Sequence, residues 1–297
     1  MKISFIIPYH NEPLWMLHEC ISSITSLTMD RSDYEVIVVD DGSMISPEPE
    51  LKQYGDVVCY YHQQNQGPGA ARNLGIEKSS CDYLQFVDSD DSLRIEYNQC
   101  ISIVADKKPD ILFFHGKQTS DYYKECNGVE YMLNNNVRGA ACCLLLRKES
   151  LGKLRYDSCL INEDELFNTQ LVLQSNKVID VGIQAYNYRV RSDSRSRSLS
   201  SQRLRQRLDD TETIIMRLHA LSETLADDRQ RALQRKLSQL TMDYLYNIAT
   251  QTHSFSELSL RIKRLQQAQL YPLPLKRYTA KYWLFAWFTH VTRICVL

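Results

Sequence analysis

The stretch that decides the fold lies at residues 83–91, YLQFVDSDD, where a short apolar run ends in a cluster of acidic residues. Two earlier segments follow the same plan. Residues 3–8 run into PYHNE at 8–12, and residues 35–39 run into DDGS at 40–43. Short, continuous apolar runs are typical of strands that are buried on both faces of a sheet.

Helical patterns separate these strands. Apolar residues recur at helical spacing after Pro13, residues 69–78 form a second helical segment, and residues 56–61 indicate a further strand. Alternating strands and helices favour βαβ units and an α/β fold with a mostly parallel sheet flanked by helices. Ligands of such sheets bind beyond the carboxyl ends of the strands, so we expect the three polar clusters to lie together at one edge.

Each acidic cluster has a purely structural interpretation beside the functional one. Carboxylates at 88, 90 and 91 suit a divalent cation that also holds substrate phosphate, but Asp and Ser also cap helices. DDGS at 40–43 is also a common turn in which Gly42 has a positive φ. The loop NQGPGAARN at 65–73 contains G-x-G, but Arg72 stands where a dinucleotide fingerprint has its third small residue, which leaves a phosphate cradle open.

The composition bounds the function classes. The chain has 297 residues, of which 43% are hydrophobic and 24% charged, and this excludes disordered, collagen-like and polytopic membrane proteins. The net charge of -1 gives no argument for a nucleic-acid partner. Residues 1–180 carry -11 and residues 181–297 carry +10. The acidic part can hold a metal ion and the basic part can meet phosphate or an anionic membrane, unless both are simply solvated faces.

The cysteines give no framework for disulfides or zinc. There are nine, without a C-x-x-C pair, and no histidine cluster has zinc-ligand spacing. The apolar N-terminal run is too short for a signal peptide. We therefore expect a reduced, cytoplasmic chain. The C-terminal segment 276–297 leaves open a peripheral position on the inner face of the membrane.

Five segments, taken in order, resemble the family 2 glycosyltransferases of the GT-A fold, of the kind that build bacterial surface glycans. They are FIIPYHN at 5–11, VVDDGS at 38–43, N-x-G-x-G-x-x-R-N-x-G at 65–75, FVDSDD at 86–91 and ED-x-x-F at 163–167. The match covers about residues 1–190. It implies an inverting hexosyl- or N-acetylhexosaminyltransferase for polysaccharide biosynthesis that takes a nucleotide sugar, preferably a UDP-sugar, with Mn²⁺ or Mg²⁺.

The resemblance also implies site residues. The nucleotide-sugar site would comprise Pro8, Tyr9, Glu12, Asp40, Asp41, Arg72, Asn73, Asp88 and Arg189. Tyr9 would lie against the base, Asp41 beside Asp40 would bind it, and the D-x-D motif would supply the metal ligand from Asp90 or Asp91. Asp164 of the Glu163-Asp164 pair would be the general base. A metal ion stabilises a leaving diphosphate and a carboxylate can deprotonate an acceptor hydroxyl, although acidic residues are also common in the first turn of any helix.

Arg189 and Arg191 suit the diphosphate because guanidinium binds oxyanions in a fork. They precede a Ser/Arg-rich segment at 192–201, in which Arg195 and Arg197 are as well explained by a mobile basic linker. The family's usual acceptor-side tryptophan before the Glu-Asp pair is absent, and the segment reads GAACC at 139–143. The sequence therefore names no residues for the acceptor pocket.

The C-terminal third changes character. We expect a catalytic domain over 1–201 and a helical region over 202–297, with two long amphipathic helices, a third over 256–269, a break at YPLP (271–274) and a last helix over 276–297. The last helix is too short in apolar residues to span a bilayer. Its basic and Trp/Phe-rich character suits an interfacial helix at a membrane surface, with packing on the other helices as the equal alternative.

Two other functions remain open at this point. A sugar-phosphate nucleotidyltransferase also uses a nucleotide and an α/β sheet, but it should carry a glycine-rich N-terminal signature where this chain has PYHNE. A non-catalytic subunit of a membrane-associated glycan assembly would be favoured by degraded carboxylates, and here they are intact. The partners expected for the enzyme are the nucleotide sugar, a glycan or lipid-linked acceptor and a membrane surface contacted through 276–297.

Overall fold

The computed structural model describes residues 1–115, 122–190 and 200–292. Arg191, Arg195, Arg197 and nearly all of the Ser/Arg-rich segment lie outside these ranges. The chain divides into two compact units, Met1–Tyr131 with Arg138–Ser198 and Met132–Val137 with Leu199–Leu297.

The first unit is an α/β sheet domain, as the sequence predicts. Its elements are β1 Ile3–Tyr9, α1 Leu14–Thr25, β2 Tyr34–Asp41, α2 Glu48–Leu51, β3 Val58–Gln63, α3 Pro68–Lys78, β4 Tyr83–Phe86, β5 Ser92–Leu93, α4 Tyr97–Lys107, β6 Ile111–His115, β7 Tyr123–Cys126, α5 Gly128–Asn134, β8 Leu144–Arg147, α6 Glu163–Gln174, β9 Val178–Gln184 and β10 Tyr186–Asn187. The last residues of α5 belong to the second unit.

Eight of these strands form one sheet in the order β3-β2-β1-β4-β8-β6-β9-β7. Strands β3, β2, β1 and β4 are parallel neighbours, β8 runs antiparallel between β4 and β6, and β6 pairs in parallel with β9. The mostly parallel α/β fold is thus confirmed. The carboxyl ends of β1, β2, β4 and β6 point to the same edge of the sheet because β8 alone reverses direction between them.

The core of this unit follows from the apolar runs. Ile3, Phe5, Ile6 and Ile7 of β1 are completely buried, which explains their lack of alternation. On one side α3 approaches β1 so closely that a Cβ on Gly75 would lie 2.3 Å from Cγ2 of Ile6. A larger residue at position 75 would therefore push α3 away from the sheet.

Three features of the sheet domain differ from the sequence predictions. The helix α4 was not predicted, because only Tyr97, Cys100 and Val104 of its eleven residues are buried and its apolar stripe is narrow. The edge strand β7 was not predicted either, because it has only four residues, which alternate between exposed and half-buried. The apolar pattern of residues 139–147 by itself predicts a strand over that whole range, but β8 begins only at residue 144. Asn168 Nδ2 donates to the backbone oxygens of Arg138 (2.9 Å) and Ala140 (3.1 Å) and so takes acceptors that a strand would use.

The second unit is helical, with α7 Ser201–Glu223, α8 Asp227–Thr252, α9 Phe255–Gln267 and α10 Ala280–Thr292. The side chain of Ser200 caps α7 and that of Ser254 caps α9, each accepting a backbone N–H at 3.2 Å. Residues 132–137 join this unit because Arg235 and Lys236 of α8 donate to their carbonyls, at 2.7 Å to Met132 and 2.9 Å to Val137.

The two long helices, the third helix and the break at YPLP agree with the sequence, whereas the last helix begins at residue 280 rather than 276. Among the residues that the structure describes, no helix is both long enough and apolar enough to cross a bilayer.

Candidate active site

The predicted polar clusters lie where parallel topology places them, at the carboxyl ends of β1, β2 and β4. Strand β1 ends at Tyr9, β2 ends at Asp41, and Asp88 follows β4 after one further residue. The helix α6, with the Glu163-Asp164 pair in its first turn, comes to the same place through Arg72. The sequence motifs thus converge in space.

Asp41 holds the loop that enters α3. Its Oδ1 accepts the backbone N–H of Gln66 at 2.8 Å and the Gln63 amide at 2.7 Å, and its Oδ2 accepts the N–H of Gly67 at 2.8 Å. Gly67 has a φ of 90° and precedes Pro68, the first residue of α3. The carboxylate therefore shapes the loop that begins at Asn65, and its predicted contact with the base stays a prediction.

Asp40 is completely buried and is also bound by the protein itself. The backbone N–H of Ser43 donates to its Oδ1 at 2.9 Å, and the Tyr60 hydroxyl donates to its Oδ2 at 2.9 Å. Gly42 has a φ of 73°, and a Cβ there would lie 2.7 Å from the backbone nitrogen of Asn65. DDGS can therefore form a tight turn and also belong to the candidate site, because the turn packs directly against the loop at Asn65.

The end of β1 forms a small closed network. The Tyr9 hydroxyl donates to the carbonyl of Glu12 at 2.7 Å, and the backbone N–H of His10 donates to Glu12 Oε2 at 2.7 Å. Burial, with the charges of Glu12 and Asp40, raises the pKa of Tyr9 to about 12, so its hydroxyl remains a donor at neutral pH. Pro8 is half-buried, and these contacts fix the backbone at which a base is expected to lie.

Arg72 is the centre of the site. Its side chain is 9% exposed, and it donates to Glu163 Oε1 at 2.7 Å and to Asp88 Oδ1 at 3.2 Å. One buried guanidinium thereby joins the acidic cluster after β4 to the first turn of α6. The surrounding carboxylates offset its desolvation and raise the pKa of Arg72, which stays charged. The predicted role of Arg72 at the nucleoside is not tested by this arrangement.

Asn73 fixes the segment that packs against Arg72. Its Nδ2 donates to the carbonyl of Tyr156 at 2.8 Å, and its Oδ1 accepts the N–H of Tyr156 at 2.9 Å. The Tyr156 ring stacks on Phe167 of α6 at 3.8 Å between centroids and has the guanidinium of Arg72 at 5.4 Å. This buried tyrosine holds α3 and α6 together. The sequence analysis missed it because no local motif surrounds it.

Asp164 has the electrostatics of a proton acceptor. Burial, followed by the like charge of Glu163, raises the pKa of Asp164 to about 7, while Arg72 opposes the shift. The backbone N–H of Glu165 donates to its Oδ1 at 3.1 Å. A carboxyl with a pKa near neutrality is well matched to general-base catalysis. Glu163, by contrast, is buried and engaged with Arg72, so in this structure it positions its neighbours.

The three aspartates after β4 are not equivalent. Asp88 has a side chain that is 36% exposed, and Asp90 is half-buried. Asp91 is only 2% exposed, and its oxygens accept the Tyr186 hydroxyl at 2.8 Å and the backbone N–H of Arg189 at 2.7 Å. Burial, together with the charge of Asp88, raises the pKa of Asp91 to about 7. Asp91 thus anchors the segment after β10, although the sequence offered it equally as a metal ligand.

The donor set at Asp88 and Asp90 fits a hard divalent cation, because both present carboxylates at a partly exposed edge and such ions also bind diphosphate oxygens. Within the described ranges, no group of three or more His, Cys, Asp or Glu side chains is arranged to hold a metal by itself. Mg²⁺ and Mn²⁺ are commonly held by one or two protein carboxylates together with substrate phosphates and water, and Asp88 and Asp90 would supply the carboxylates.

Arg189 lies against the first helix. Its Nε donates to the carbonyl of Asp90 at 2.9 Å, its guanidinium forms an ion pair with Glu19 at 2.6 Å, and it stacks 5.0 Å above the ring of Trp15. Sequence reasoning selected Arg189 for phosphate but missed Glu19 and the stacking role of Trp15. Asp91 accepts the backbone N–H of Arg189, and the carbonyl of Asp90 accepts its Nε–H, so the position of Arg189 depends on the D-S-D-D cluster.

Comparison with known proteins agrees with this geometry. Residues 4–115 match the family model "Glycosyl transferase family 2". The "Glycosyltransferase GlyA" of Streptococcus pneumoniae is 29% identical over 66% of this chain and 32% of its own length. The "Poly(ribitol-phosphate) beta-glucosyltransferase" of Bacillus spizizenii is 43% identical over 32% of this chain and 16% of its own length. The matched parts therefore span a third or less of these two relatives.

Solved structures show the same fold. Residues 1–349 of TarS from S. aureus, in complex with UDP, superpose with a TM-score of 0.72 at 17% identity, covering 100% of this chain and 89% of that one. The mannosyltransferase PcManGT from Pyrobaculum calidifontis, in complex with GDP-Man and Mn²⁺, gives a TM-score of 0.58 at 13% identity, covering 99% and 87%. With its ordered motifs brought to one sheet edge, this chain carries a glycosyl transferase family 2 segment at residues 4–115 and has the fold of these solved glycosyltransferases.

Proposed function

We propose that the chain transfers a sugar, with inversion, from a UDP-sugar to a glycan or lipid-linked acceptor, and that transfer requires Mn²⁺ or Mg²⁺. The observation that carries the proposal is the Arg72 bridge, which joins Asp88 of the D-x-D motif to Glu163 beside Asp164. The bridge supports the proposal because it links the partly exposed carboxylate that we assign to the diphosphate with the helix turn whose carboxyl of raised pKa we assign to the acceptor.

The relatives support the choice of donor and product class. TarS of S. aureus has been solved with UDP and with UDP-GlcNAc. A further relative is the "Minor teichoic acid biosynthesis protein GgaB" of Bacillus subtilis, 27% identical over 65% of this chain and 23% of its own length. We therefore propose a hexosyl or N-acetylhexosaminyl donor and a role in polysaccharide biosynthesis.

The proposed reaction assigns one task to each part of the site. Tyr9, Asp40 and Asp41 shape the edge at which we place the base. Asn73 holds the segment at Tyr156, and Arg72 joins Asp88 to Glu163. Asp88 and Asp90 would hold a divalent cation, which would supply Lewis-acid stabilisation of the leaving diphosphate. Arg189 adds a second positive charge on the diphosphate side after leaving Glu19.

Asp164 takes the proton in this scheme. The acceptor hydroxyl attacks the anomeric carbon, the bond from that carbon to the diphosphate oxygen breaks, and the hydroxyl proton moves to Asp164. Attack from the side opposite the leaving group inverts the anomeric centre. Because burial and the charge of Glu163 raise the pKa of Asp164 to about 7, its carboxyl can both accept and release a proton near neutral pH.

A donor screen tests the proposal. UDP-sugars with Mn²⁺ should stabilise the protein against heat and should be hydrolysed slowly when no acceptor is present. Asp90→Ala should weaken the metal-dependent part of UDP binding. A chain that responds to no nucleotide with any metal would favour a non-catalytic subunit, and formation of a nucleotide sugar from a sugar phosphate would favour a nucleotidyltransferase. A lipid-linked acceptor would also require contact with a membrane, for which we propose the segment 276–297.

A further inference from the structure

The helix α10 has two apolar faces, and one of them is part of the core of the second unit. Tyr282, Ala286 and Thr289 are at most 3% exposed and follow one another along one side of the helix. Ala286 and Tyr282 pack with Met242 and with Leu273 of the preceding segment. The Tyr282 hydroxyl donates to the Pro274 carbonyl at 3.0 Å. The helix is therefore fixed in place by its inner face.

The opposite face carries large apolar side chains on the surface. At 100° per residue they occupy an arc of about 140°, centred opposite Tyr282 and Ala286. The exposed fractions are 38% for Trp283, 59% for Leu284, 52% for Trp287, 55% for Phe288 and 44% for Val291. Single exposed apolar residues are ordinary, but five on one helix face form a contiguous patch of the kind that marks an interaction surface.

The charged residues that adjoin α10 in the sequence are all basic. Lys276 and Arg277 are exposed just before the helix, and Lys281 lies at its side with its ammonium 5.0 Å from the ring of Tyr246. Between residues 258 and 297 the sequence contains seven Lys or Arg and no Asp or Glu. The patch is therefore apolar at its centre and basic at its amino-terminal end.

We propose that the outer face of α10 binds an anionic lipid bilayer, with the helix lying in the plane of the interface. The proposal deepens the proposed function by naming the partner surface, and it rests on that function for the reason why a membrane is needed. Thirteen residues give a helix about 20 Å long, too short to span the hydrocarbon layer. Tryptophan rings prefer the headgroup region, and basic residues are attracted to anionic headgroups.

The charge pattern disfavours a second copy of the chain as the partner. In a two-fold symmetric contact, the same patch of each copy faces the other. The same segment of a second copy has no acidic residue to pair with Lys276, Arg277 and Lys281, so such a contact would leave these charges without partners from that segment. An anionic surface satisfies both the apolar and the basic components of the patch.

Vesicle flotation with the full chain tests the proposal. The protein should float with vesicles of phosphatidylcholine and phosphatidylglycerol and much less with phosphatidylcholine alone. The double variant Trp283→Ser/Trp287→Ser should lower the partition coefficient by at least about tenfold, because it removes the two indoles. Lys276→Gln/Arg277→Gln should lower it by about 30-fold on the anionic vesicles only, since each basic residue near such a surface contributes about fivefold.

Matched controls distinguish vesicle binding through this face from nonspecific binding by other exposed residues. Phe255→Ser/Leu260→Ser removes two exposed apolar residues from α9, and Arg203→Glu/Arg205→Glu reverses two exposed charges on α7. Both should bind vesicles as the unmodified protein does. Equal loss in the α9 control, or vesicle binding unaffected by the tryptophan changes, would overturn the proposal. So would a dimer, seen by sedimentation, that the tryptophan changes dissociate while no form floats.

Failure here is distinguishable from failure of the proposed function. Flotation needs no nucleotide, and UDP binding can be measured without vesicles on the same variants. If the chain floats but binds no UDP, the enzyme assignment fails alone. If it binds UDP and does not float, only the lipid partner is wrong. Helical circular dichroism should be unchanged in every variant, since the altered side chains lie on the surface.

Discussion

Asp164→Asn should stabilise the protein while it abolishes transfer, and the gain should grow with pH. The carboxyl has an ordinary pKa of 3.8 and a pKa of about 7 in the folded chain, raised first by burial and then by Glu163. A group whose pKa is raised on folding opposes folding once the unfolded chain ionises it. The contribution of Asp164 to stability therefore falls as the pH rises from about 4 to about 7 and stays low above that.

The magnitude follows from the same two values. Complete ionisation of a carboxyl shifted from 3.8 to about 7 costs about 4 kcal/mol of the free energy of unfolding. Because Asp164 keeps some contact with solvent, we expect about half of this. Asparagine carries no charge at any of these pH values. Because part of the loss already lies below pH 5, the advantage of the variant over the unmodified protein should increase by about 1 kcal/mol between about pH 5 and about pH 8.5.

Urea unfolding at the two pH values measures this difference directly. Asp91, whose pKa is also raised to about 7, is present in both proteins and cancels from the comparison. Glu149→Gln, at an exposed carboxylate, is the matched control and should show an increase of less than about 0.5 kcal/mol. A variant whose advantage is the same at both pH values, or shrinks as the pH rises, would refute the electrostatic reasoning.

Three further changes should act through single contacts. Arg72→Leu leaves two carboxylates without their cation and should lower the free energy of unfolding by about 3 kcal/mol in urea titrations; unchanged stability would contradict the bridge. Gly75→Ala places a Cβ 2.3 Å from Ile6 Cγ2 and should cost about 1–3 kcal/mol, visible as a lower Tm by calorimetry. Asp41→Asn turns an acceptor into a donor facing the N–H of Gly67, and should weaken UDP binding in calorimetric titrations by about tenfold.

Most of the parallel half of the sheet was predictable from local pattern. Strands such as β1 and β2 are buried on both faces, so an apolar run with a polar end identifies them without any tertiary information. The reversed strand β8 was not predictable in direction or start. Its limits depend on Asn168, a residue of α6 that binds backbone oxygens at 138 and 140. Such long-range contacts leave no trace in a short window of sequence.

The candidate site shows the same division. The motifs named the residues, but their partners come from distant parts of the chain. Arg72 was expected at the nucleoside, and in the structure it binds carboxylates on two other elements. Tyr156 and Tyr186 stand in no acidic or glycine-rich motif, yet they hold α6 and Asp91. Side chains that position others are chosen by packing, which composition and spacing do not report.

The last helix had two predicted roles, and the structure agrees with a part of each. Aromatic residues over 282–288 were expected either to pack as core or to face a membrane. Tyr282 packs inward, whereas Trp283 and Trp287 are exposed on the other face. Seven residues suffice for two faces of one helix, because successive positions turn by 100°.

The central claim is that one site at the carboxyl edge of the sheet binds a UDP-sugar and activates an acceptor through Asp164. Its most direct test is the measurement of UDP-sugar turnover and UDP affinity on the same preparation of Asp164→Asn with Mn²⁺. The account predicts that turnover falls by at least about a thousandfold while the affinity for UDP changes by less than about threefold. A variant that keeps full turnover, or a protein that binds no UDP in either form, would contradict it.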